Sequence, residues 1–222
     1  GAKGLSLFIV PKESFTGHDF EYVQDGGGTL LGKADATPGY RGMHSFTLQF
    51  EDYFVPAENL VGGEEGEGRG FRLQMAGFAA GRLQTGGRGC GLAQAAVEET
   101  AKYVVDRDQF DQPISEFQLI QEKIADMALK VDAMALLIYR SAWVKDVKDA
   151  RVSRESSMAK LYSTEAAQEV VDQAVQIFGG MGVVSGVIVE RLYREIRALR
   201  IYEGTSEIQK LVIAGQALSA SE

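Results

Sequence analysis

Cysteine, histidine and proline are scarce in this 222-residue chain, which has one cysteine, two histidines and four prolines. A single cysteine, Cys90, excludes an internal disulfide framework and fits a reducing compartment. Two histidines leave little material for a histidine-based metal site or for a Ser-His-Asp triad. We therefore expect no metal centre, and we interpret His18 and His44 as partly exposed residues of turns.

Net positive charge and long apolar runs are also missing. Lys and Arg total 23 against 31 Asp and Glu, a formal net charge of −8, so electrostatics gives no general case for a nucleic-acid partner. The apolar runs are short and interrupted by charge, and the first ten residues lack the features of a signal peptide. We expect a soluble intracellular protein without a membrane span, cytoplasmic unless it resides in the mitochondrial matrix.

The chain changes character near residue 66. Residues 1–66 are rich in Gly, Phe and Tyr, and their runs LSLFIV and HSFTLQFEDYFVP read as strands joined by turns. Beyond a charged, glycine-rich connection, apolar residues advance by threes and fours through 117–138 and 158–178, which predicts two long helices. The pair Gly179–Gly180 is expected to end the second of them.

A further helix is predicted at 70–105 despite its interior glycines, which are tolerated where another helix must approach closely. With a last helix from Ser206, the predicted fold class is mainly α. It comprises a C-terminal antiparallel four-helix bundle, residues 67–222, preceded by an incomplete β domain, residues 1–66. Since the first residues already read as a strand in mid-fold, we expect that part of a larger polypeptide is missing.

A glutamate and a glycine precede the last predicted helix. Ser206 and Gln209 match the capping box, so the helix should begin near Ser206, and Gly204 permits the sharp turn before it. Glu203 therefore lies on a bend beside the positive end of a helix. These residues alone leave two interpretations open: a carboxylate that complements the helix dipole, or a fixed general base.

Arginine is the residue type best suited to an anionic ligand here. Arg82 lies in the first long helix and Arg107 lies between that helix and the next. The planar guanidinium group suits phosphate oxygens bidentately, although a surface salt bridge is the alternative for each arginine. In the run 190–200, arginines three apart alternate with Glu190 and Glu195, which predicts a solvated, ion-paired helix face.

Five motifs in register resemble the flavin-dependent acyl-CoA dehydrogenases. They are FEDYFVPAENLVG, AGRLQTGGRGCGLAQAA, RDQFDQPISEFQLIQ, QIFGGMGV and IYEGTSEIQ, and together they cover essentially the whole chain. The family pattern also has a helical N-terminal domain and an earlier part of the β domain, both absent here. The resemblance implies FAD-dependent α,β-dehydrogenation of an acyl-CoA thioester in a homodimer or homotetramer, with electron-transfer flavoprotein as acceptor. The alternatives are an acyl-CoA oxidase and a non-catalytic assembly subunit of the same fold.

The resemblance also implies roles for individual residues. Glu203 matches the catalytic base, which removes the α-proton while a hydride leaves the β-carbon for the flavin. The positions matched to substrate binding are Arg82, Tyr202 and Gly204, and those matched to FAD binding are Arg107, Phe110, Gln118, Gln176, Gly179, Gly180, Thr205 and Glu207. Some members place the base at the position of Gly81, so this chain has one candidate. Ala79 stands where members that grip CoA have an acidic or amide residue, which weakens the case for ordinary CoA recognition.

Overall fold

A computed structural model of the chain describes residues 1–148 and 152–219. The chain divides into two compact units, Gly1–Gly77 and Phe78–Glu222. The domain boundary that the sequence suggests between residues 66 and 67 stays a prediction. None of the described helices combines the length and the apolar character needed to cross a membrane.

The first unit contains a three-stranded antiparallel sheet. Its strands, in spatial order, are β1 (Asp19–Val23), β2 (Thr29–Ala34) and β3 (Phe46–Glu51). The sequence DGGGT, residues 25–29, forms the turn from β1 to β2, and Gly27 adopts a φ of 90° within it. The strand predicted at LSLFIV is wrong for the described residues, because that segment forms only isolated bridges at Leu5 and Phe8. Two single bridges do not make the continuous ladder that a strand requires.

Five α-helices occur within residues 1–148 and 152–219. They are α1 (Gly70–Asp106), α2 (Gln118–Lys148), α3 (Ser153–Phe178), α4 (Ile188–Leu199) and α5 (Ser206–Ser219). A small hairpin of β4 (Asp108–Gln109) and β5 (Gln112–Pro113) connects α1 to α2. Gly179 ends α3 as predicted, with a φ of 58° and an N–H that donates to the Gln176 carbonyl. The mainly α fold class is confirmed.

Contacts between helices give their directions and the position of the core. Ion pairs Lys130–Glu169 (3.0 Å) and Arg140–Glu155 (3.7 Å) join α2 to α3, and residue numbers rise on one helix as they fall on the other. The two helices are therefore antiparallel. Apolar side chains that are almost fully buried form the core, namely Met127, Val131 and Met134 of α2, Val170, Val171 and Ala174 of α3, and Val189, Leu192, Ile196 and Leu199 of α4.

Glycines of α1 allow a close approach to α3. A Cβ atom added at Gly86 would lie 3.5 Å from the Ala159 carbonyl oxygen, and one at Gly89 would lie 3.3 Å from the Ser163 carbonyl oxygen. The predicted reason for interior glycines is thus confirmed at these two positions. It does not apply to Gly87, where an added Cβ would meet nothing within 4 Å.

Candidate active site

The connection between α4 and α5 is a left-handed bend. Glu203 has a φ of 58° and Gly204 a φ of 86°. Glycine adopts such angles readily, whereas they cost another residue about 1 kcal/mol or more. The bend is closed by the Ser206 N–H, which donates to the Arg200 carbonyl at 3.2 Å. A glutamate held in this conformation is a candidate functional residue, because backbone strain of this kind clusters at active sites.

The Glu203 carboxylate lies directly against the backbone of α1. A Cβ atom added at Gly81 would lie 2.5 Å from Glu203 Oε2 and 2.7 Å from its Cδ, so the carboxylate fills the space that a side chain there would need. Oε2 is buried and accepts no hydrogen bond from the described residues. A buried carboxylate oxygen without a partner is unfavourable in a resting structure, which points to an interaction made with a ligand.

Arg82 follows Gly81 and is the nearest basic residue of α1. Its side chain is 6% exposed, and its Nε atom is buried with no hydrogen-bond acceptor among the described residues. Burial lowers the pKa of Arg82, and the charge of Glu203 opposes that shift. The site therefore offers a buried acceptor on Glu203 and a buried donor on Arg82.

The predicted capping box of Ser206 and Gln209 is wrong. α5 does begin at Ser206, as predicted, but the capping side chain belongs to Thr205. The Thr205 hydroxyl oxygen accepts a hydrogen bond from the Ile208 N–H at 3.4 Å. Ser206 and Gln209 are both buried, and their side chains have partners elsewhere in the site.

Two fully buried side chains donate hydrogen bonds to the carbonyl groups of the bend. Gln209 Nε2 donates to the carbonyls of Glu203 and Gly204 at 2.9 and 3.0 Å. Lys160 Nζ, on α3, donates to the Gly204 carbonyl at 2.9 Å. Burial lowers the pKa of Lys160 to about 8, although the charges of Glu165 and Glu203 act in the opposite direction.

An ion pair supports the same bend from the other side. Arg200 donates through Nη2 and Nε to both carboxylate oxygens of Glu165, at 2.7 and 2.9 Å, and the Ser206 hydroxyl also donates to Glu165. Burial would raise the pKa of Glu165, but the hydrogen bonds from Arg200 and Ser206 lower it. The predicted solvated, ion-paired face of the run 190–200 is thus confirmed in part. Arg191 and Arg197 are exposed. The Arg194–Glu190 pair, by contrast, is only about one-fifth exposed, and Arg200 stabilises the bend through Glu165.

Sequence reasoning missed Lys160, Glu165 and the role of Gln209. The sequence offers only a weak signal for Lys160, which stands four residues after Ser156 and four before Thr164, two small polar residues that the structure shows to be fully buried. Positions four apart share one helix face, so a lysine there cannot reach solvent easily. Nothing in the local sequence indicates which carbonyl group receives its hydrogen bond.

The other predicted substrate and flavin residues of this region lie around Glu203. Tyr202 is half-buried immediately before it, and Thr205 caps α5 just after it. Glu207 is exposed on the first turn of α5. Its pKa is lowered by a backbone hydrogen bond at its own position and by the Thr205 hydroxyl.

A separate cleft of about 850 Å³ lies between the β4–β5 hairpin, the start of α2 and the end of α3. It brings together five of the residues that the sequence assigns to FAD: Arg107, Phe110, Gln118, Gly179 and Gly180. Tyr103 and Phe178 also line it, and their rings stack with centroids 4.0 Å apart. Gln176 is not part of the lining and is exposed on the last turn of α3.

Phe110 is the most exposed large apolar side chain of the described residues, at 89%. Phe110 and Asp111 form the two-residue turn of the hairpin with φ values of 55° and 65°. Turns of this type favour Asn and Gly, so an aromatic residue here is strained and exposed at once. An aromatic ring presented at the mouth of a cleft can stack on a planar ligand.

The two groups of predicted residues are far apart within one chain. Arg82 and Asp106 lie in the same helix, and a rise of 1.5 Å per residue separates them by about 36 Å. The Glu203 region adjoins the first position, and the cleft adjoins the second.

Comparison with known proteins identifies the family of the chain. Residues 68–218 match the family model of the acyl-CoA dehydrogenase C-terminal domain. The mitochondrial short-chain specific acyl-CoA dehydrogenase of Mus musculus is 42% identical over 216 residues, which are 97% of this chain and 48% of that protein. Subunit CarC of the caffeyl-CoA reductase-Etf complex of Acetobacterium woodii is 38% identical, over 98% of this chain and 53% of its own length.

A solved structure gives the same result for the fold. Butyryl-CoA dehydrogenase from Megasphaera elsdenii superposes with a TM-score of 0.84 and 33% identity, over 98% of this chain and 53% of that one. The chain thus spans about half the length of the relatives it matches. Because the family model covers most of the chain, and the relatives cover nearly all of it, the chain belongs to the acyl-CoA dehydrogenase family.

Proposed function

We propose that this chain carries the catalytic base and part of the flavin site of an enzyme that removes hydrogen from the α and β carbons of an acyl-CoA thioester. The observation that carries the proposal is the Glu203 carboxylate. It lies on a left-handed bend, against Gly81, and its buried Oε2 accepts no hydrogen bond from the described residues. Such an oxygen has no protein hydrogen bond to lose when it accepts a proton from a substrate.

The chemistry requires a base of this kind. The α-proton of a thioester is weakly acidic, so the base must be ionised, fixed and within hydrogen-bond reach of that proton. Glu203 meets the second condition through the hydrogen bonds from Lys160 and Gln209 that hold its bend. When bound, FAD supplies the acceptor for the hydride that leaves the β-carbon.

We assign FAD to the cleft beside the β4–β5 hairpin, because its lining fits a dinucleotide. Arg107 can bind phosphate oxygens bidentately, and Phe110 presents an exposed ring for stacking. Gln118 begins α2, and the positive end of a helix dipole suits an anion. A Cβ atom added at Gly179 or Gly180 would meet nothing within 4 Å, so the backbone there is open to a ligand. The flavin contacts of Gln176, Thr205 and Glu207 stay predictions.

The separation of the two regions argues for an oligomer. About 36 Å of α1 lies between Arg82 and Asp106, which is more than one FAD molecule spans. A single FAD therefore cannot use both the cleft and the Glu203 of one chain. We propose that the cleft of one subunit serves the Glu203 of another in a homodimer or homotetramer.

We propose electron-transfer flavoprotein as the redox partner, and an intracellular location in the cytoplasm or mitochondrial matrix. The relatives support both, since one belongs to a reductase-Etf complex and another is mitochondrial. The complex to which CarC belongs is named a caffeyl-CoA reductase, that is, for the reverse of dehydrogenation. An acyl-CoA oxidase is the alternative for this site, and rapid turnover with oxygen alone would favour it.

The test is flavin reduction by substrate in the complete enzyme. A panel of acyl-CoA thioesters is mixed anaerobically with the FAD-loaded protein, and flavin absorbance is followed by stopped flow. Bleaching by at least one thioester, with formation of the corresponding enoyl-CoA, supports the proposal. No bleaching by any chain length, together with retained FAD, contradicts it.

A further inference from the structure

Lys160 is a fully buried lysine whose purpose the packing of α3 does not explain. Moving an ammonium group out of water is unfavourable, and an apolar side chain of similar size would fill the same space without that cost. The small residues around it on the same helix face, such as Ser156 and Ser163, would allow that replacement. A buried lysine at such a position therefore calls for a functional reason.

The contact that Lys160 makes is with the bend of the proposed base. Its Nζ donates to the carbonyl of Gly204, the residue directly after Glu203. Gln209 donates to the same carbonyl from α5, so donors from two helices fix one peptide group. Because that peptide group belongs to the left-handed bend, its position determines the position of the Glu203 backbone, from which the side chain extends.

Charged groups around Lys160 compensate its burial in part. Glu165 from α3 and Glu203 from the bend favour the ammonium form, whereas Arg82 from α1 and Arg200 from the end of α4 oppose it. Glu165 is already bound bidentately by Arg200. The contact specific to Lys160 is therefore its hydrogen bond to the Gly204 carbonyl.

We propose that Lys160 is a positioning residue for the base, which fixes the Gly204 carbonyl through its ammonium group and thereby holds the bend that carries Glu203. This inference rests on the proposed function of Glu203. It gives α3, which already supports the bend through Glu165, a second residue that acts on it.

Rescue by an amide donor separates this role from a merely structural one. In the complete enzyme, Lys160→Met removes the donor to the Gly204 carbonyl, and Lys160→Gln keeps an amide donor at this position. The maximal rate of flavin reduction should fall at least tenfold in Lys160→Met and less in Lys160→Gln. The affinity for the acyl-CoA should change little in either variant, because only the base is displaced.

The matched control is Lys102→Met, the same substitution at an exposed lysine of α1 that pairs with Glu99. Its maximal rate should equal that of the parent, which excludes an effect of net charge alone. A Lys160→Met rate within threefold of the parent's overturns the proposal, and so does a Lys160→Gln rate no higher than that of Lys160→Met. If Lys160→Met does not fold, Lys160→Gln carries the same test.

A second readout does not depend on turnover. In native-state hydrogen exchange of the complete enzyme, the Ser206 N–H reports on the bend, because its hydrogen bond to the Arg200 carbonyl closes it. That amide should exchange faster in Lys160→Met than in the parent and in Lys102→Met, and unchanged exchange contradicts the proposal. If the parent is not reduced by any acyl-CoA, the proposed function fails, yet this measurement still decides whether Lys160 holds the bend.

Discussion

Substitution of Gly81 by alanine should separate stability from activity. The added methyl group would lie 2.5 Å from Glu203 Oε2, whereas ordinary van der Waals contact begins near 3.4 Å, so the carboxylate must move by about 1 Å. That movement is inexpensive for folding, because the carboxylate is the far end of a flexible side chain. Catalysis is more sensitive, since a displacement of this size can cost about 10²-fold in rate.

The same substitution should favour the helix. Alanine is about 1 kcal/mol better than glycine in a helix interior, so the free energy of unfolding should stay level or rise by up to about 1 kcal/mol. We therefore expect Gly81→Ala to fold and to retain FAD, while the rate of flavin reduction falls by about 10²-fold. Denaturant unfolding measures the first quantity, and anaerobic stopped flow measures the second.

Gly87→Ala is the matched control, because Gly87 lies in the same helix, is exposed, and has nothing within 4 Å of an added Cβ. It should gain the same helix stability without loss of rate. The reasoning is refuted if Gly81→Ala reduces its flavin within threefold of the parent rate. It is also refuted if the variant loses more than about 1 kcal/mol of stability, since the carboxylate would then not have moved aside as argued.

Three further predictions concern FAD, pH and the bend. Arg107→Ala should weaken FAD binding by about 1.5 to 3 kcal/mol, so that the variant loses FAD on dialysis. Full retention of FAD would contradict the assignment of Arg107 to the flavin site. The pKa of Lys160 falls from 10.5 to about 8 on folding, so between these values the unfolded chain binds more protons and stability rises with pH. The free energy of unfolding of Lys160→Met should lack this rise with pH across that range. A slope against pH identical to that of the parent would contradict the prediction. Arg200→Gln leaves the Glu165 carboxylate without its bidentate partner and should lower the free energy of unfolding by about 1.5 kcal/mol, measured with denaturant, whereas an unchanged value would show that the pair is solvent-screened.

Local signals in the sequence were sufficient for part of the site. The glycine after Glu203 and the polar residues that follow it predicted both the bend and the start of α5, because turn and cap preferences act over a few residues. Such rules do not determine which residue caps α5. Thr205 and Ser206 can both cap a helix, and Thr205 does so because the Ser206 hydroxyl is hydrogen-bonded to Glu165, 41 residues away.

Tertiary contacts explain what the sequence did not reveal. In the sequence, Lys160 looks like an ordinary helix residue. Its acceptor, the Gly204 carbonyl, lies 44 residues further along the chain and reaches it only because the bend packs on α3. The segment LSLFIV has strand composition, but strand formation depends on neighbours with which to pair, and only two isolated bridges form. The arrangement of Arg107 and Gly179 around one cleft likewise depends on the end of α3 meeting the hairpin.

Flavin reduction in the Glu203→Gln variant tests the central claim most directly. Glutamine keeps the size of the side chain and much of its hydrogen bonding but cannot accept the α-proton, so the complete enzyme should still bind FAD and acyl thioester. General bases contribute about 10² to 10⁴-fold, and Gly81 offers no second carboxylate, so the rate of flavin bleaching in stopped flow should fall by about 10⁴-fold or more. Bleaching within tenfold of the parent rate would contradict the account, because another group would then remove the proton.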